Sequence, residues 1–202
     1  MDIDASYENR SATLSTVEAV ASQVFIPLTV GGGVSKLQDI ERLLEKGADK
    51  VSINTSAILD PSLVGSAAKK FGSQCIVVAV DSKREGEKSY VYTHGGKNKT
   101  AFETSAWIKI VEGEGAGEIL LTSMDRDGTK IGFDNELTSS IAKDLSIPLI
   151  TSGGAGSIDH MIEGITDGKA DAVLAASIFH QKEITIAEVK DGLASKGIEV
   201  RL

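Results

Sequence analysis

An internal repeat constrains the fold of this 202-residue chain more than any single motif does. Three pairs of segments carry it: Ile26-Pro27-Leu28 with Ile147-Pro148-Leu149, Gly32-Gly33 with Gly153-Gly154, and Asn54-Thr55 with Ala176-Ser177. The first two pairs lie 121 positions apart and the third lies 122 apart, because one residue is inserted in the second copy. Each copy reads as a strand, a glycine turn, a helix, a second strand and a small residue. The shared order predicts a duplicated strand-helix unit.

Short apolar runs alternate with amphipathic stretches along the chain. The run at residues 76–80 is continuous and mostly β-branched, which is typical of a strand buried on both faces. Five shorter runs resemble it, at residues 26–30, 51–53, 118–122, 148–151 and 172–175. Such βα alternation predicts a parallel sheet with helices outside it. Two equivalent halves predict an α/β fold of the (β/α)8 TIM barrel type, formed by residues 1–202 as a single domain.

The strand count predicts that the beginning of this barrel is absent. Six complete βα units follow the opening residues, and Met1 to Asp4 reads as the end of a strand. The counterpart of the strand that ends at Asp81 would lie about forty positions before Met1. We therefore expect an N-terminally truncated barrel that lacks its first strand, its first helix and part of its second strand.

One segment interrupts the alternation. Residues 82–93 carry Glu85-Gly86-Glu87 between polar and β-prone flanks, which predicts an exposed hairpin. His94 follows in a glycine-containing loop, where it could contact a substrate. His160 lies within a helical pattern and is expected on the helix surface.

Composition narrows the class of partner. Lys and Arg number 21 against 29 Asp and Glu, so the net charge is −8, and no basic cluster favours nucleic acid. No apolar run reaches the ~18 residues that a membrane helix needs. The single cysteine, Cys75, and the lack of a signal-peptide pattern favour a reducing compartment, so we expect a cytoplasmic protein. An anionic substrate would need local binding devices, because the overall field repels it.

The duplicated glycine turns are candidate phosphate sites. Gly32-Gly33 follows one strand, and Gly153-Gly154 follows its counterpart. Glycine lets backbone N–H groups approach an anion, and the next helix adds its positive N-terminus. The following strands lead into Asn54-Thr55 and Ser177, which supply polar side chains. Two such sites on opposite sides of one barrel mouth suit a substrate with a phosphate at each end; ordinary tight turns are the alternative.

Aspartates stand where strands end. Asp81 ends the most apolar strand, Asp127 follows the next one, and Asp2 opens the chain. A carboxylate at the C-terminal face of a barrel is placed for general acid–base catalysis; the alternative is a cap on the next helix or turn. Gly128-Thr129 is a candidate phosphate or substrate contact. The sequence has no HExxH, CxxC or clustered histidines, so neither a metal nor a cofactor is expected.

Several specific segments resemble the cyclase subunit of imidazole glycerol phosphate synthase. They are residues 25–33, 47–55, 71–74, 115–129 and 152–156. The match runs through the whole chain to Leu202. The resemblance implies a (β/α)8 barrel of histidine biosynthesis, similar in architecture to the isomerase one step earlier in the pathway.

The resemblance also implies a reaction. Ammonia from a glutaminase subunit adds to a formimino-bridged bisphosphate ribonucleotide, which is cleaved to imidazole glycerol phosphate and an aminoimidazole carboxamide ribonucleotide. Two aspartates act as acid and base. One matches Asp81, the other falls outside this sequence, and supporting acidic positions match Asp2 and Asp127. We therefore expect the 202-residue chain alone to be inactive.

The same resemblance implies substrate contacts and a partner face. The matching phosphate contacts are Gly32, Asn54 and Thr55 on one side, and Gly128, Gly154, Ala176 and Ser177 on the other. The family docks its glutaminase, as a heterodimer, on the bottom of the barrel. Lys50 and Glu118 resemble part of a charged gate for ammonia there, and Asp49 would face the partner. The alternative for Lys50 and Glu118 is a plain ion pair.

Two other functions stay open on the sequence alone. One is the related bisphosphate isomerase, and the other is a non-catalytic phosphate-binding remnant of a barrel. The pair Asp49-Lys50 and the segment from Asp125 to Thr129 favour the cyclase over the isomerase.

Overall fold

The computed structural model describes residues 14–201, and in them six parallel strands form one sheet in the order of the chain. These strands are β1 (Thr29–Gly31), β2 (Lys50–Ile53), β3 (Ile76–Glu85), β6 (Glu118–Ser123), β7 (Leu149–Ser152) and β8 (Ala172–Leu174). There are two further strands in these residues, β4 (Lys88–Thr93) and β5 (Asn98–Glu103). Strand β4 pairs with β3 in antiparallel orientation, and β5 pairs with β4 in the same way. The six parallel strands confirm the predicted alternation.

Helices connect the strands. They are α1 (Leu14–Ala21), α2 (Leu37–Glu45), α3 (Thr55–Leu59), α4 (Ser62–Phe71), α5 (Thr104–Glu114), α6 (Asn135–Ala142), α7 (Ile158–Thr166), α8 (Ser177–His180) and α9 (Ile186–Ser195), with a 3₁₀ turn at Ser73–Cys75. From Leu14 to Arg201, none of these helices is both long and apolar enough to span a membrane. The sheet with helices outside it is a partial TIM-type barrel.

Alternate residues of the strands face the helices and form the main core. Ile76, Val78 and Val80 of β3 are fully buried there, and so is Trp107 of α5. The neighbouring strands contribute in the same way, because side chains alternate between the two faces of a strand. The apolar run that predicted β3 therefore reflects burial on both faces.

The opposite, inner face of the sheet is organised along its length. Val77, Ala79 and Leu120 form a separate small apolar cluster at mid-height. The alternation of β3 continues from Val77 and Ala79 to Asp81, which lies near the carboxyl end of the parallel sheet. A charged residue of β6, Glu118, begins the same face at the amino end. The inner face thus runs from a charged end through an apolar layer to an aspartate.

Strands β1 and β8 form the two edges of the sheet as far as residues 14–201 define it. Within that range β1 pairs with β2 alone, and β8 pairs with β7 alone. Both strands have only three residues. The expected absence of a segment before residue 1 stays a prediction.

The segment after Asp81 is only partly the exposed hairpin that the sequence predicts. The turn does lie at Gly86, whose φ is +62°. However, β3 itself continues to Glu85, and the buried Val91 of β4 belongs to the main core. Ser82 is also buried, and its hydroxyl lies 2.7 Å from that of Thr104 at the start of α5. Paired hydroxyls let polar residues enter the core, and their polarity concealed this in the sequence.

Candidate functional site

The carboxyl ends of β2 and β3 bring two predicted site residues into contact. Asn54 directly follows β2, and Asp81 lies in β3. Nδ2 of Asn54 donates a hydrogen bond to Oδ2 of Asp81 over 2.9 Å. Burial raises the pKa of the Asp81 carboxyl, the Asn54 hydrogen bond opposes that rise, and the nearby Asp127 carboxylate adds to it. A carboxyl with a raised pKa can both take and give a proton, as general acid–base catalysis requires.

The amide oxygen of Asn54 is a second notable feature of this residue. Its Oδ1 atom is buried and has no hydrogen-bond partner in the part of the chain that the structure describes. A buried acceptor without a partner is costly, so it suits a donor from a ligand. The sequence predicts Asn54 as a phosphate contact, whereas the structure directs its amide to Asp81.

Asp127 lies in the turn that follows β6. Its backbone N–H donates to the carbonyl of Ser123 over 2.9 Å, and its side chain is exposed. The Thr129 hydroxyl donates to the carbonyl of Arg126 over 2.6 Å, so one of its polar functions is used within the turn. Gly128 has a φ of +74° and open space where a Cβ would lie. The turn exposes Asp127 and Gly128 on the side of the sheet that carries Asp81.

The second glycine turn packs tightly against this same loop. A Cβ at Gly153 would lie 2.6 Å from the Ser123 carbonyl oxygen, and one at Gly154 would lie 2.2 Å from the Gly132 carbonyl oxygen. The N–H of Gly132 donates to the carbonyl of Gly154 over 2.8 Å. Both glycines also have positive φ values. Glycine is therefore required here by the contact between two loops, whatever ligand the turn holds.

The first glycine turn leads into α2, whose start is already occupied. Oδ2 of Asp39 accepts from the N–H groups of Ser35 and Lys36 over 3.0 and 3.2 Å, and from the Ser35 hydroxyl over 3.0 Å. The sequence predicts that this helix N-terminus serves a phosphate. The chain's own carboxylate binds these two amides, so a phosphate at this turn would need other donors, and the phosphate site stays a prediction.

The second glycine turn has a related arrangement with a different side chain. The N–H of Gly156 donates to Nδ1 of His160 over 3.1 Å, and the Ser157 hydroxyl caps α7 by accepting from the His160 N–H over 3.2 Å. His160 is half-buried. His160 is thus only partly at the surface, because the ring turns back over the loop that precedes its helix.

The two short helices after the glycine turns differ in their surroundings. Thr55 begins α3, and its half-buried hydroxyl accepts a hydrogen bond from the His94 N–H over 3.0 Å. Ser177 begins α8 and is exposed, and the residue before it, Ala176, has no polar side chain. His94 is held over the first copy by the loop of the β4–β5 hairpin and has a φ of +54°. This loop therefore belongs to the site as a backbone donor.

The amino end of the sheet contains the predicted charged residues. Nζ of Lys50 lies 2.7 Å from Oε2 of Glu118, and the two side chains are 33% and 14% exposed. Oδ2 of Asp49 accepts from the N–H of Leu28 over 2.7 Å, which holds β1 beside β2. The Lys50–Glu118 contact is thus present, and Asp49 has a clear role within the sheet.

Two further points concern the predicted residues. Asp2 lies outside the residues that the structure describes. Between residues 14 and 201, no three His, Cys, Asp or Glu side chains gather in a way that could hold a metal ion.

The sequence of this chain matches a known protein family. The family model described as histidine biosynthesis protein matches residues 1–185. The chain belongs to this family. Its members are enzymes of histidine biosynthesis, and the match applies to both the cyclase and the isomerase. The partial barrel is therefore that of a member of this family of histidine biosynthesis enzymes.

Residue-by-residue reading of the sequence missed several members of the site. Asp39 and His160 anchor the loops after the glycine turns, and Asp171 accepts from the N–H of Leu149 over 2.9 Å, as Asp49 does from Leu28. The repeat itself holds the signal, since Asp39 and His160 are 121 positions apart. Comparison of polar residues across the two copies pairs Asp49 with Asp171, and it also pairs Asp39 with His160.

Proposed function

We propose that this protein is the cyclase subunit of imidazole glycerol phosphate synthase. It uses ammonia from a glutaminase subunit to convert a formimino-bridged bisphosphate ribonucleotide to imidazole glycerol phosphate and an aminoimidazole carboxamide ribonucleotide. The observation that carries the proposal is the Lys50–Glu118 ion pair, 2.7 Å long, at the opposite end of the inner face from Asp81. An isomerase acts on its substrate at one end of the barrel and has no need of a second entrance.

The inner face suits the passage of a small neutral molecule. Val77, Ala79 and Leu120 form its apolar middle layer, which favours uncharged ammonia over ammonium because burying an unpaired charge is costly. The Lys50–Glu118 pair closes the entrance with a contact that a partner could rearrange. Ammonia that passes this layer arrives beside Asp81.

Asp81 is proposed as the proton-transfer group of the reaction. Its raised pKa lets the carboxyl exchange a proton with an amine, and Asn54 fixes its orientation. Oδ1 of Asn54, which has no partner among residues 14–201, offers an acceptor for an N–H or O–H of the substrate. Asp127 supports the reaction from the neighbouring turn. The two glycine turns, with Thr55 and Ser177, are proposed to hold the phosphate ends.

The glutaminase is proposed to dock at the amino end of the strands. Lys50, Glu118 and Asp49 all lie there. Docking at that end would deliver ammonia to the charged pair without entering the mouth that holds the bisphosphate.

The first test separates the cyclase from its alternatives. Two proteins are assayed: the chain alone, and an extended form in which a strand-helix-strand segment that carries an aspartate precedes the chain. Each is given each bisphosphate substrate, with and without ammonium, at pH 8.5. The proposal predicts ammonium-dependent loss of the open-chain substrate and release of both products by the extended form. Ammonia-independent isomerisation would instead establish the isomerase, and tight binding without turnover of either substrate would establish a phosphate-binding remnant.

The second test addresses the charged pair. Lys50→Met should alter the dependence of the rate on ammonium concentration and leave substrate binding unchanged. Lys70→Met is the matched control, since Lys70 and Glu41 also lie 2.7 Å apart but on the exposed surface. Equal ammonium dependence in both variants would remove the ion pair from the proposed mechanism.

A further inference from the structure

The two glycine turns are anchored by equivalent residues of different charge. In the first copy, Asp39 accepts from the N–H of Ser35; in the second, His160 accepts from the N–H of Gly156. Asp39 and His160 are 121 positions apart, and so are Ser35 and Gly156. The two copies therefore share the hydrogen bond, with a carboxylate as the acceptor in the first and an imidazole in the second.

The hydrogen bond at Gly156 uses the imidazole as its acceptor. Nδ1 of His160 accepts from the Gly156 N–H, so this nitrogen plays the part that a carboxylate oxygen plays in the first copy. The ring also packs over the adjacent loop, since its Cδ2 would lie 3.5 Å from a Cβ at Gly132. His160 thus anchors the second turn without adding negative charge.

Asp39 anchors the first turn at the cost of a negative charge. Its carboxylate is half-buried and is held by two backbone N–H groups and one hydroxyl. These are donors that a phosphate would otherwise use, and the carboxylate repels a second anion nearby. Lys36 and Asp159, the other charged residues of these two helix starts, are exposed, so water screens them more strongly.

We infer that Asp39 and His160 set the relative phosphate affinities of the two copies, and that the second copy binds phosphate more tightly. This inference rests on the proposed function, because it assumes that both turns hold phosphate. A tighter second site would fix one end of the bisphosphate first and leave the other end free to adjust. Both residues act as positioning residues whose charge is felt by the ligand.

The experiment measures the affinity of each copy separately. Inorganic phosphate is titrated into the whole chain at pH 8, where free histidine is neutral. The amide resonances of Gly33 and Thr55 report the first copy, and those of Gly154 and Ser177 report the second. We expect the second copy of the wild-type protein to bind at least threefold more tightly.

Charge swaps then test the cause. His160→Asp should weaken the second copy about tenfold, and Asp39→Asn should strengthen the first by a similar factor. His160→Asn is the matched control, because its neutral Oδ1 can accept the same hydrogen bond and should preserve the affinity. Each variant should leave the other copy unchanged.

The outcomes distinguish the inference from the function beneath it. Equal weakening by His160→Asn and His160→Asp would show that only the shape of the ring matters, and would overturn the inference. An unchanged phosphate affinity of the first copy in Asp39→Asn would also overturn the inference, even if the His160 variants failed to fold. Absence of phosphate binding at both copies of the wild-type protein would instead refute the proposed function.

Discussion

The first copy of the repeat, residues 26–59, and the second, residues 147–180, use the same device to join their strands. Asp49 accepts from the N–H of Leu28 over 2.7 Å, and Asp171 accepts from that of Leu149 over 2.9 Å. The copies differ beyond the second strand, where the side chain of Asn54 donates to Asp81 and that of its counterpart, Ala176, has no donor. Duplication has thus preserved the frame, while the residues at the strand ends have diverged.

The copies also differ in how they hold a catalytic candidate. The first copy holds Asp81 through a side-chain hydrogen bond of 2.9 Å from Asn54. The second copy supports the loop of Asp127 through backbone contacts, since a Cβ at Gly153 would lie 3.3 Å from the Asp127 nitrogen. A side-chain bond tunes the pKa of its partner, whereas backbone packing fixes a position. We therefore expect changes in the first copy to affect protonation, and changes in the second to affect folding.

The largest expected effect is on turnover. Asp81→Asn keeps the shape of the side chain and removes its proton-transfer capacity, which is typically worth ~10²–10⁴-fold in rate. We expect kcat to fall by that factor in whichever form of the protein turns over. Steady-state assays of Asp81→Asn and of Asp127→Asn should show the smaller loss for the exposed Asp127. A larger loss for Asp127→Asn would reverse the assignment of the two roles.

The same variant has an opposite effect on stability. Because the folded state raises the pKa of Asp81, ionising this carboxyl costs stability as the pH rises through the folded pKa. Asp81→Asn should therefore be more stable than the wild-type protein at neutral pH, and the difference should vanish below the unfolded pKa near 3.8. Thermal unfolding of both proteins between pH 3 and pH 8 measures this difference. A variant less stable than the wild-type protein at pH 7 would show that ionisation of Asp81 does not destabilise the folded state.

The next effect distinguishes the glycines. Gly154→Ala introduces a Cβ 2.2 Å from the Gly132 carbonyl oxygen, at a φ of +104°. We expect it to lower the free energy of unfolding by ~3 kcal/mol or more. Gly128→Ala is the control, with a φ of +74° and nothing within 4 Å of the added Cβ, so it should cost only ~1 kcal/mol. Denaturant titration gives both values, and equal losses would mean that the loop contact is unimportant.

A smaller effect concerns protonation. Asn54→Ala removes the hydrogen bond that lowers the pKa of Asp81, so that pKa should rise further. The limb of the pH–rate profile that reports Asp81 should move to higher pH. Ser177→Ala, in the second copy, should leave the limb in place. A shift of the same size in both variants would argue against a specific link between the first copy and Asp81.

The smallest effect tests the shared frame. Asp49→Ala and Asp171→Ala each remove the acceptor of one strand N–H, and each should lower stability by ~1–2 kcal/mol. The two losses should agree within the error of a denaturant titration. If Asp49 also meets a glutaminase, as proposed, Asp49→Ala alone should weaken that association. A loss of stability in only one of the two variants would show that the two aspartates are not equivalent.

The sequence predicted the parallel strands well, because apolar residues recur along the strands and helices with a regular period. Apolar runs and helical spacing placed all six parallel strands. The repeat located the strand end at Asn54, and the apolar run at residues 76–80 located the strand end at Asp81. Periodicity says nothing about where a polar side chain turns. The return of His160 to Gly156 and the pairing of Ser82 with Thr104 depend on loops that only the folded chain brings together.

The glycine turns show a second limit of the sequence. A glycine is equally expected where a backbone approaches a ligand and where it approaches another backbone. The sequence favours a ligand at Gly154, and the structure shows the Gly132 carbonyl in contact with it. The partner loop is 22 positions away and outside the repeat, so comparing the two copies could not reveal it.

The central claim is that the two copies hold the two phosphate ends of one substrate across Asp81. Calorimetric titration of the chain, without ammonia, tests it through stoichiometry. The account predicts two inorganic phosphates per chain but one bisphosphate substrate, which displaces both phosphates. A single phosphate per chain, or a bound bisphosphate that leaves one phosphate in place, would contradict the claim.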